Sequence, residues 1–179
     1  MTGSFGNILT TSSIVIPMKD NTHGYSVEEI DARKKKFASN WRDYKWGVSP
    51  NFKKYNTGAI LELEDDAAYI FMCGDWHMPT PDQIKELINN TTTTRTALDG
   101  VDGRSFTSKS DPSKSIFFPT TGCACNDSVI GSKDFGYVWS SVLSVDDAIG
   151  GYYLCFDSGY ARLFNSYRYF GFSVRGVIG

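Results

Sequence analysis

Three short runs of alternating residues near the C-terminal end constrain the fold of this chain most strongly. Residues 152–157 and 160–164 each alternate, on either side of the turn pair Ser158-Gly159. Residues 171–175 alternate in the same way and predict a further strand. Because successive side chains of a strand point to opposite faces, each run buries one face and leaves the other open. This part of the sequence therefore predicts an antiparallel sheet with one face against a core.

The inward members of these runs are apolar, and the outward members are rich in aromatic rings. Leu154, Phe156, Ala161 and Leu163 are the expected inward residues. Tyr and Arg gathered with Asn, Ser and Gly are typical of a paratope, because rigid rings give contact area at a low entropic cost. An ordinary hairpin face with some exposed rings is the alternative interpretation. We expect one open surface to be shared by Tyr153, Asp157, Tyr160, Arg162, Phe164 and Tyr167.

Two loops are expected to flank this surface, at residues 146–150 and 165–170. Hydrogen bonds from Arg162, Asp157 and Asn165 would orient a ligand, and the aromatic rings would supply the buried area. The complete set of candidate ligand-binding residues is Asp146, Asp147, Ile149, Gly150, Tyr153, Cys155, Asp157, Tyr160, Arg162, Phe164, Asn165, Tyr167, Tyr169 and Phe170.

The same end of the chain lacks five residue types. From residue 141 to residue 179 there is no Lys, Glu, Gln, Met or Trp, although Lys and Glu are common earlier. These types make up roughly a fifth of average composition, so chance rarely leaves so long a run without them. They are residues that a codon ending in a pyrimidine cannot encode. Mutagenesis of asparagine codons, which end in a pyrimidine, would leave these five residue types out. A β surface of biased composition would leave them out too.

Several segments resemble one known family. YVWSSVLSVDD, YYLCFDSG and GFSVRGV resemble the Fibrobacter succinogenes major paralogous domain. WG and KYN within residues 46–56, EDDAA at 64–68 and W-x-x-P-T at 76–80 continue the likeness, which covers about residues 46–177. His77 occupies the position at which the family usually has Arg, and we expect it to pack or to form hydrogen bonds.

The resemblance implies an α+β, C-type-lectin-like (formylglycine-generating-enzyme-like) fold with two short helices, an antiparallel sheet and long loops. The family is similar to the variable proteins of diversity-generating retroelements, in which changed codons cluster at the C-terminal end. The implied function is binding of a protein or cell-surface ligand by a diversified region at about residues 141–175, on a phage tail tip or a bacterial cell surface. The alternatives are a structural or assembly subunit of a phage tail or surface appendage, and a relative of the formylglycine-generating enzymes.

Helix signals lie in the first half of the chain. Thr80, Pro81 and Gln83 form the N-cap, first position and capping-box partner of one predicted helix. Acidic residues before an apolar body predict another helix at residues 63–74, ending at a glycine. A second capping box, formed by Ser26 and Glu29, starts a third predicted helix at residues 26–39.

The length of 179 residues suits one domain with a short N-terminal extension. Residues 1–39 are expected to form a strand or arm and a helix, and residues 40–179 the lectin-like domain. The apolar run at residues 14–17 could reach a neighbouring subunit, so a homo-oligomer is considered. Trp76 and Trp139 are the expected core anchors.

Other classes of function receive little support. The net charge of -2 gives no electrostatic reason to expect nucleic acid or an anionic membrane as partner, and no apolar run is long enough to span a bilayer. The start of the chain shows no secretory signal. Two histidines far from the plausible nucleophiles do not suggest a catalytic triad, and the calcium triplets of sugar-binding lectins are absent. We therefore expect no enzyme activity, no metal and no cofactor, with free thiols at Cys73, Cys123, Cys125 and Cys155.

Overall fold

The computed structural model describes residues 28–29, 31–32, 58–72, 74–125, 128–146, 149–168 and 170–178. Residues 28–29 and 31–32 are helical, within the helix predicted at 26–39. The predicted N-terminal strand, the rest of that helix and the aromatic segment at 40–57 lie outside the described residues. So does Cys73.

The first complete helix, α1, spans Ala67–Met72 and is shorter than the predicted helix at residues 63–74. Its start is fixed by Asp66, whose Oδ1 accepts a hydrogen bond from the Tyr69 N–H at 3.0 Å. The other oxygen, Oδ2, accepts from the Met78 N–H at 2.8 Å and so ties the helix start to the segment that follows. Gly74 has a φ of 62°, a left-handed conformation that suits the residue after a helix end.

The second helix, α2, spans Pro81–Asn90 and confirms the prediction from its capping signals. The Thr80 hydroxyl accepts from the Gln83 N–H at 3.2 Å, and the Gln83 side chain accepts from the Thr80 N–H at 2.9 Å. These reciprocal bonds satisfy amides that a helix start leaves without intrahelical partners. Ile84 is buried on the inner side of α2.

The described residues also form three antiparallel sheets, with strand orders β1-β2-β3, β4-β5 and β6-β7-β8. The fold is therefore α+β, as predicted. None of the described helices is long and apolar enough to cross a membrane. The strands are β1 Thr91–Leu98, β2 Val101–Ser108, β3 Ser115–Pro119, β4 Cys123–Cys125, β5 Ser128–Ile130, β6 Gly136–Leu143, β7 Gly150–Phe156 and β8 Ala161–Tyr167.

Residues 89–103 are polar and rich in turn-forming residues, a composition that predicts turns and loops, and this prediction is wrong for most of the segment. The threonine run lies in β1, because its β-branched side chains suit an extended strand. Only Asp99 and Gly100, with φ values of 51° and 79°, form the turn to β2. Alternation at residues 104–108 and the apolar run at 115–119 predict two strands, and these segments are the second half of β2 and all of β3.

The main core lies between α2, the β1–β3 sheet and one face of the β6–β8 sheet. Its centre is a trio of rings, with Phe106 5.1 Å from Phe118 and 6.1 Å from Phe156 between centroids, in edge-to-face contacts. Each fully buried side chain of this size stabilises the fold by about 1.5–3 kcal/mol. The buried cluster is Ile84, Phe106, Phe118, Val138, Leu154 and Phe156, with Ala161 and Leu163 packed against it.

The C-terminal segment departs from the predicted strand at 171–175. It makes single bridges instead, from Gly171 to Ala124, from Ser173 to Val138 and from Val177 to His77. Phe172, between two of these bridges, is 5 % exposed and lies against the β6–β8 sheet. The segment therefore crosses several elements and pairs continuously with none of them.

Both tryptophans expected to anchor the core are only half-buried. Trp139 lies on the sheet face that points away from the main core, where it packs at 4.4 Å between ring centroids on Phe172. Its Nε1–H donates to the Phe170 carbonyl oxygen at 3.3 Å. Trp76 lies close to Gly176, because a Cβ added at Gly176 would be 2.9 Å from the Trp76 Cε3. The phenylalanine trio, not a tryptophan, therefore forms the centre of the main core, and Trp139 packs against a second buried cluster of Ala67, Ala68, Ile70 and Met78.

Candidate functional site

The register of the β6–β8 sheet decides which side chains share a face. Leu154 pairs with Leu163, and both side chains enter the main core. The adjacent pair, Tyr153 and Phe164, points to the opposite side of the sheet, because side chains alternate along a strand. We call this opposite side the outer face, and by this register it carries Tyr137, Trp139, Tyr153, Cys155, Arg162 and Phe164.

Phe172 covers the part of the outer face formed by β6 and β7. Its ring centroid lies 4.7 Å from that of Tyr137 and 4.7 Å from that of Tyr153. Phe170 stacks on its far side at 5.9 Å, with the two ring planes 10° apart. These contacts cover the β6 and β7 part of the outer face from within the chain, whereas Arg162 and Phe164 on β8 are exposed.

The open part of the outer face is a ridge of three side chains, Tyr160, Arg162 and Phe164, which we call the β8 ridge. Tyr160 and Phe164 are in edge-to-face contact, with centroids 6.2 Å apart. The Arg162 Cζ lies 5.5 Å from the centre of the Tyr160 ring, at cation–π distance. Phe164 is 40 % exposed, and Arg162 is also exposed. The structure thus brings together these three predicted site residues.

Tyr153 and Cys155 form the floor beside the β8 ridge. Cys155 is 4 % exposed, so the prediction that its side chain contacts a ligand is wrong. Its Sγ lies 3.7 Å from the Tyr160 hydroxyl oxygen. Burial raises the pKa of the Cys155 thiol, and burial also raises the pKa of Tyr153 to about 12. Both groups therefore stay neutral near pH 7, and the nearby side chains that carry charge are Arg162 and Asp157.

Asp157 shapes the turn that leads into the β8 ridge. Its Oδ1 accepts from the Gly159 N–H at 2.6 Å and from the Tyr160 N–H at 2.9 Å. Asp157 was expected to orient a ligand, but one of its carboxylate oxygens is already used inside the turn. The Asp157 side chain therefore fixes where the backbone presents Tyr160.

Arg104 supports the same turn from the core side, and the sequence interpretation missed it. This side chain is 7 % exposed, and its Nη1 donates to the Asp157 carbonyl oxygen. Its Nη2 donates to the Thr93 hydroxyl at 2.7 Å. Arg104 therefore links the β1–β2 hairpin to the turn before β8. The sequence signal for it is an arginine in a strand whose alternate residues, such as Phe106, are buried.

Two predicted residues lie on the wrong side of the sheet for the proposed surface. Asn165 pairs with Tyr152, and Tyr167 pairs with Gly150, so both alternate with Phe164 and point to the core side. The Asn165 Nδ2 donates to the Ser144 hydroxyl at 3.4 Å. The prediction that Tyr167 shares the open surface is wrong, because residues 165–167 continue β8 and are not a loop.

The remaining candidates surround the sheet ends. Asp146 is exposed, and its backbone N–H donates to the Ser144 hydroxyl at 3.2 Å. The Ile149 carbonyl accepts from the Arg168 N–H at 3.0 Å, and Gly150 is buried as the first residue of β7. Phe170 is half-buried on Phe172. Asp147 and Tyr169 lie outside the described residues.

Within the described part of the chain, no group of three or more His, Cys, Asp or Glu side chains is placed to hold a metal ion. Cys123, Cys125 and Cys155 are free thiols, as predicted for them. The His77 Nδ1 lies 2.9 Å from the Met78 carbonyl oxygen, in keeping with the predicted hydrogen-bonding role.

Comparison with known proteins does not assign the chain to a family. No protein-family model, no curated protein and no solved structure matches it.

Proposed function

We propose that this protein is a ligand-binding module of the C-type-lectin-like class, whose diversified C-terminal face recognises a protein or cell-surface ligand. The observation that carries the proposal is the β8 ridge. Tyr160, Arg162 and Phe164 stand together on an open face, on the same strand whose alternate residues enter the core. Tyrosine and arginine are enriched at binding hot spots, since they combine contact area with hydrogen bonding.

The separation of faces explains how such a site tolerates change. Leu154, Phe156 and Leu163 hold the fold from the core side, while the ridge residues alternate with them on the outer side. Substitutions on an exposed face usually change stability by no more than about 0.5 kcal/mol. Diversity on the β8 ridge would therefore alter recognition without altering the fold.

The lectin-like class and the retroelement relationship are supported by the sequence. The α+β arrangement of two helices before an aromatic-rich terminal sheet agrees with that class. The five residue types missing from residues 141–179 agree with diversification of this region. On this proposal the protein acts at a phage tail tip or a bacterial surface and catalyses no reaction.

In this proposal the partner packs on the rings of Tyr160 and Phe164, and Arg162 sets its orientation. The rings supply apolar area, and the guanidinium offers several N–H donors in a fixed plane. Burial raises the pKa of Tyr153 to about 12, so the floor beside the ridge stays uncharged near pH 7. The site therefore suits a ligand with apolar area next to an acceptor or an acidic group.

A pair of display libraries tests the proposal. One library randomises Tyr160, Arg162 and Phe164, and the matched library randomises three exposed residues of the β1–β2 hairpin, Arg95, Leu98 and Val101. Both are selected against the same panel of bacterial surface proteins. We expect binders from the first library only. Binders from the hairpin library alone would favour the assembly-subunit alternative.

The diversification part has a separate test. The genomic neighbourhood should contain a reverse transcriptase gene and an adenine-rich near-repeat of the sequence that encodes residues 141–175. Sequencing that region in independent isolates should show changes concentrated at the ridge codons and not at Leu154 or Phe156. An invariant ridge without such a repeat would contradict diversification.

A further inference from the structure

The β1–β3 sheet turns one of its faces away from the main core. Phe106 and Phe118 point from this sheet into the core, so the residues that alternate with them point outwards. Residues that lie opposite each other on paired strands share a face. By the register of the three strands, the outward side, which we call the hydroxyl face, carries six hydroxyl residues: Thr92, Thr94, Thr96, Ser105, Thr107 and Ser115.

The side-chain hydroxyls of this face are accessible. Four of the six residues are exposed, and the other two, Ser105 and Thr107, are half-buried. On the core side of β1, by contrast, the Thr93 hydroxyl accepts a hydrogen bond from Arg104 at 2.7 Å. Within the described part of the chain, no hydrogen bond uses a side-chain hydroxyl of the hydroxyl face. Each of these groups can therefore donate to a ligand and accept from it.

One aromatic ring lies among the hydroxyls. Phe117 lies opposite Ser105 on β3, and so it belongs to the same face. Its ring extends across Gly103, because a Cβ added at Gly103 would be 2.6 Å from the Phe117 Cε2. Gly103 lies opposite Thr96, so the ring approaches the threonines of β1. Phe117 is half-buried, and the face thus offers part of an apolar ring next to its hydroxyls.

The hydroxyl face carries no charged side chain among the described residues of its three rows. The charged residues of β1 and β2, which are Arg95, Asp102 and Arg104, alternate with the hydroxyl residues and point to the other side. A charged ligand would lose its hydration here without meeting an opposite charge. In charge, the face therefore matches a neutral ligand. The rows are Thr92-Thr107-Ser115, Thr94-Ser105-Phe117 and Thr96-Gly103-Pro119.

Two classes of macromolecule fit this composition poorly. Nucleic acid requires Lys and Arg to neutralise its phosphates, and the face has neither. Protein–protein hot spots are enriched in Trp, Tyr and Arg, whereas Ser and Thr are under-represented in them. A neutral polysaccharide fits, since its hydroxyls donate and accept hydrogen bonds and its C–H groups can pack on an aromatic ring. We propose that the hydroxyl face is a second binding site, for a neutral polysaccharide.

The regular spacing of the face suits a repeating ligand. Neighbouring strands lie about 4.8 Å apart, and alternate residues of one strand lie roughly 6.6 Å apart. An extended polysaccharide can therefore contact several rows at once, so that individually weak contacts add up. The main core lies between this face and the β8 ridge, and the two sites can be occupied independently.

Affinity electrophoresis of the full chain tests the site. Native gels contain dextran, a linear β-glucan, a mannan or the anionic polysaccharide alginate. At least one of the three neutral polysaccharides should retard the protein, and alginate should not. Thr94→Val combined with Thr96→Val keeps two β-branched side chains and removes two hydroxyls. This double variant should weaken the apparent affinity for the retarding polysaccharide at least about tenfold.

Two further variants serve as controls, and thermal melts check that every variant folds. Thr94→Ser with Thr96→Ser keeps both hydroxyls and should retain binding. Ser128→Ala with Ser132→Ala removes two exposed hydroxyls outside the face and should leave the affinity unchanged.

Three results would overturn the proposal: no retardation of the wild type by any neutral polysaccharide, wild-type affinity in the double valine variant, or equal retardation by alginate. The selections that test the β8 ridge use protein ligands, so the two proposals can fail separately.

Discussion

Tyr153 on β7 lies directly opposite Phe164 on β8, with the two ring centroids 6.2 Å apart. The two rings have different surroundings, although they are neighbours on one face. Tyr153 is half-buried and packs on Phe172 at 4.7 Å, whereas Phe164 is 40 % exposed. The boundary between supporting and contacting residues therefore runs between these two strands.

The first prediction concerns this boundary. Tyr153→Ala should lower the free energy of unfolding by about 2 kcal/mol, because it opens a gap beneath Phe172. Phe164→Ala should cost within about 1 kcal/mol, since its ring is at the surface. Urea midpoints check both values. Equal losses would mean that the boundary is misplaced.

The second prediction concerns Arg104. Arg104→Met should cost about 1–3 kcal/mol, because it leaves the Asp157 carbonyl oxygen and the Thr93 hydroxyl without their donor. It should also speed hydrogen exchange of the Gly159 and Tyr160 amides in the turn. The matched control is Arg95→Met, since Arg95 pairs with Arg104 across the hairpin but is exposed. Unchanged hydrogen exchange in the turn would show that Arg104 does not hold the turn before the β8 ridge.

The third prediction is a pH dependence set by Asp66. Burial raises the pKa of this carboxyl above its ordinary value of 3.8, even though backbone N–H groups from Tyr69 and Met78 oppose the shift. The folded state then binds a proton at a higher pH than the unfolded chain does. As the pH falls from 7 through the folded pKa towards 3.8, this group therefore adds stability relative to neutral pH.

Comparison with Asp66→Asn isolates that contribution. The variant should be less stable than the wild type by about 1–3 kcal/mol at pH 7, because an amide has one acceptor for two N–H donors. The difference should widen as the pH falls, since only the wild type gains from protonation. Urea melts between pH 7 and pH 4 measure it, with exposed Asp75→Asn as control. A difference that narrows on acidification would show that the pKa is lowered by folding.

The fourth prediction compares two glycines. A Cβ at Gly136 would lie 1.9 Å from the Cζ of Phe156, in the centre of the main core. Gly136→Ala should therefore cost about 1–3 kcal/mol by overpacking. A Cβ at Gly159 would meet its nearest atom, the Asp157 Oδ1, at 3.6 Å, so Gly159→Ala should be nearly neutral. Thermal melts of both variants test this difference. Similar melting temperatures would contradict the close packing of Phe156 against Gly136 of β6.

Local signals in the sequence were sufficient for part of this fold. The capping box at Thr80 and Gln83 placed α2, because its bonds form between residues three apart. Alternation placed Leu154 and Leu163 in the core and Arg162 and Phe164 outside it. The threonine strand β1 was missed, since polar β-branched residues also occur in turns.

What the sequence could not provide were relationships between distant segments. Arg104 reaches the Asp157 carbonyl across 53 residues, and no periodicity encodes such a bond. The orientation of Asn165 and Tyr167 depends on where β8 ends. The strand continues to Tyr167, so both residues follow the alternation of the strand and do not belong to a loop. Phe172 likewise reads as a strand residue, although its role is to cover the rings of β6 and β7.

The single bridges of the C-terminal segment have a consequence for synthesis. Val177 pairs with His77, a hundred positions earlier in the chain, and Ser173 pairs with Val138 in β6. Contacts of such long range form late, because a large loop must close before they contribute. While the nascent chain is still in the ribosomal exit tunnel, Trp139, Tyr137 and Tyr153 lack the Phe172 ring that covers them. These rings are thus an exposed hydrophobic surface, which chaperones can bind, until residue 172 has emerged.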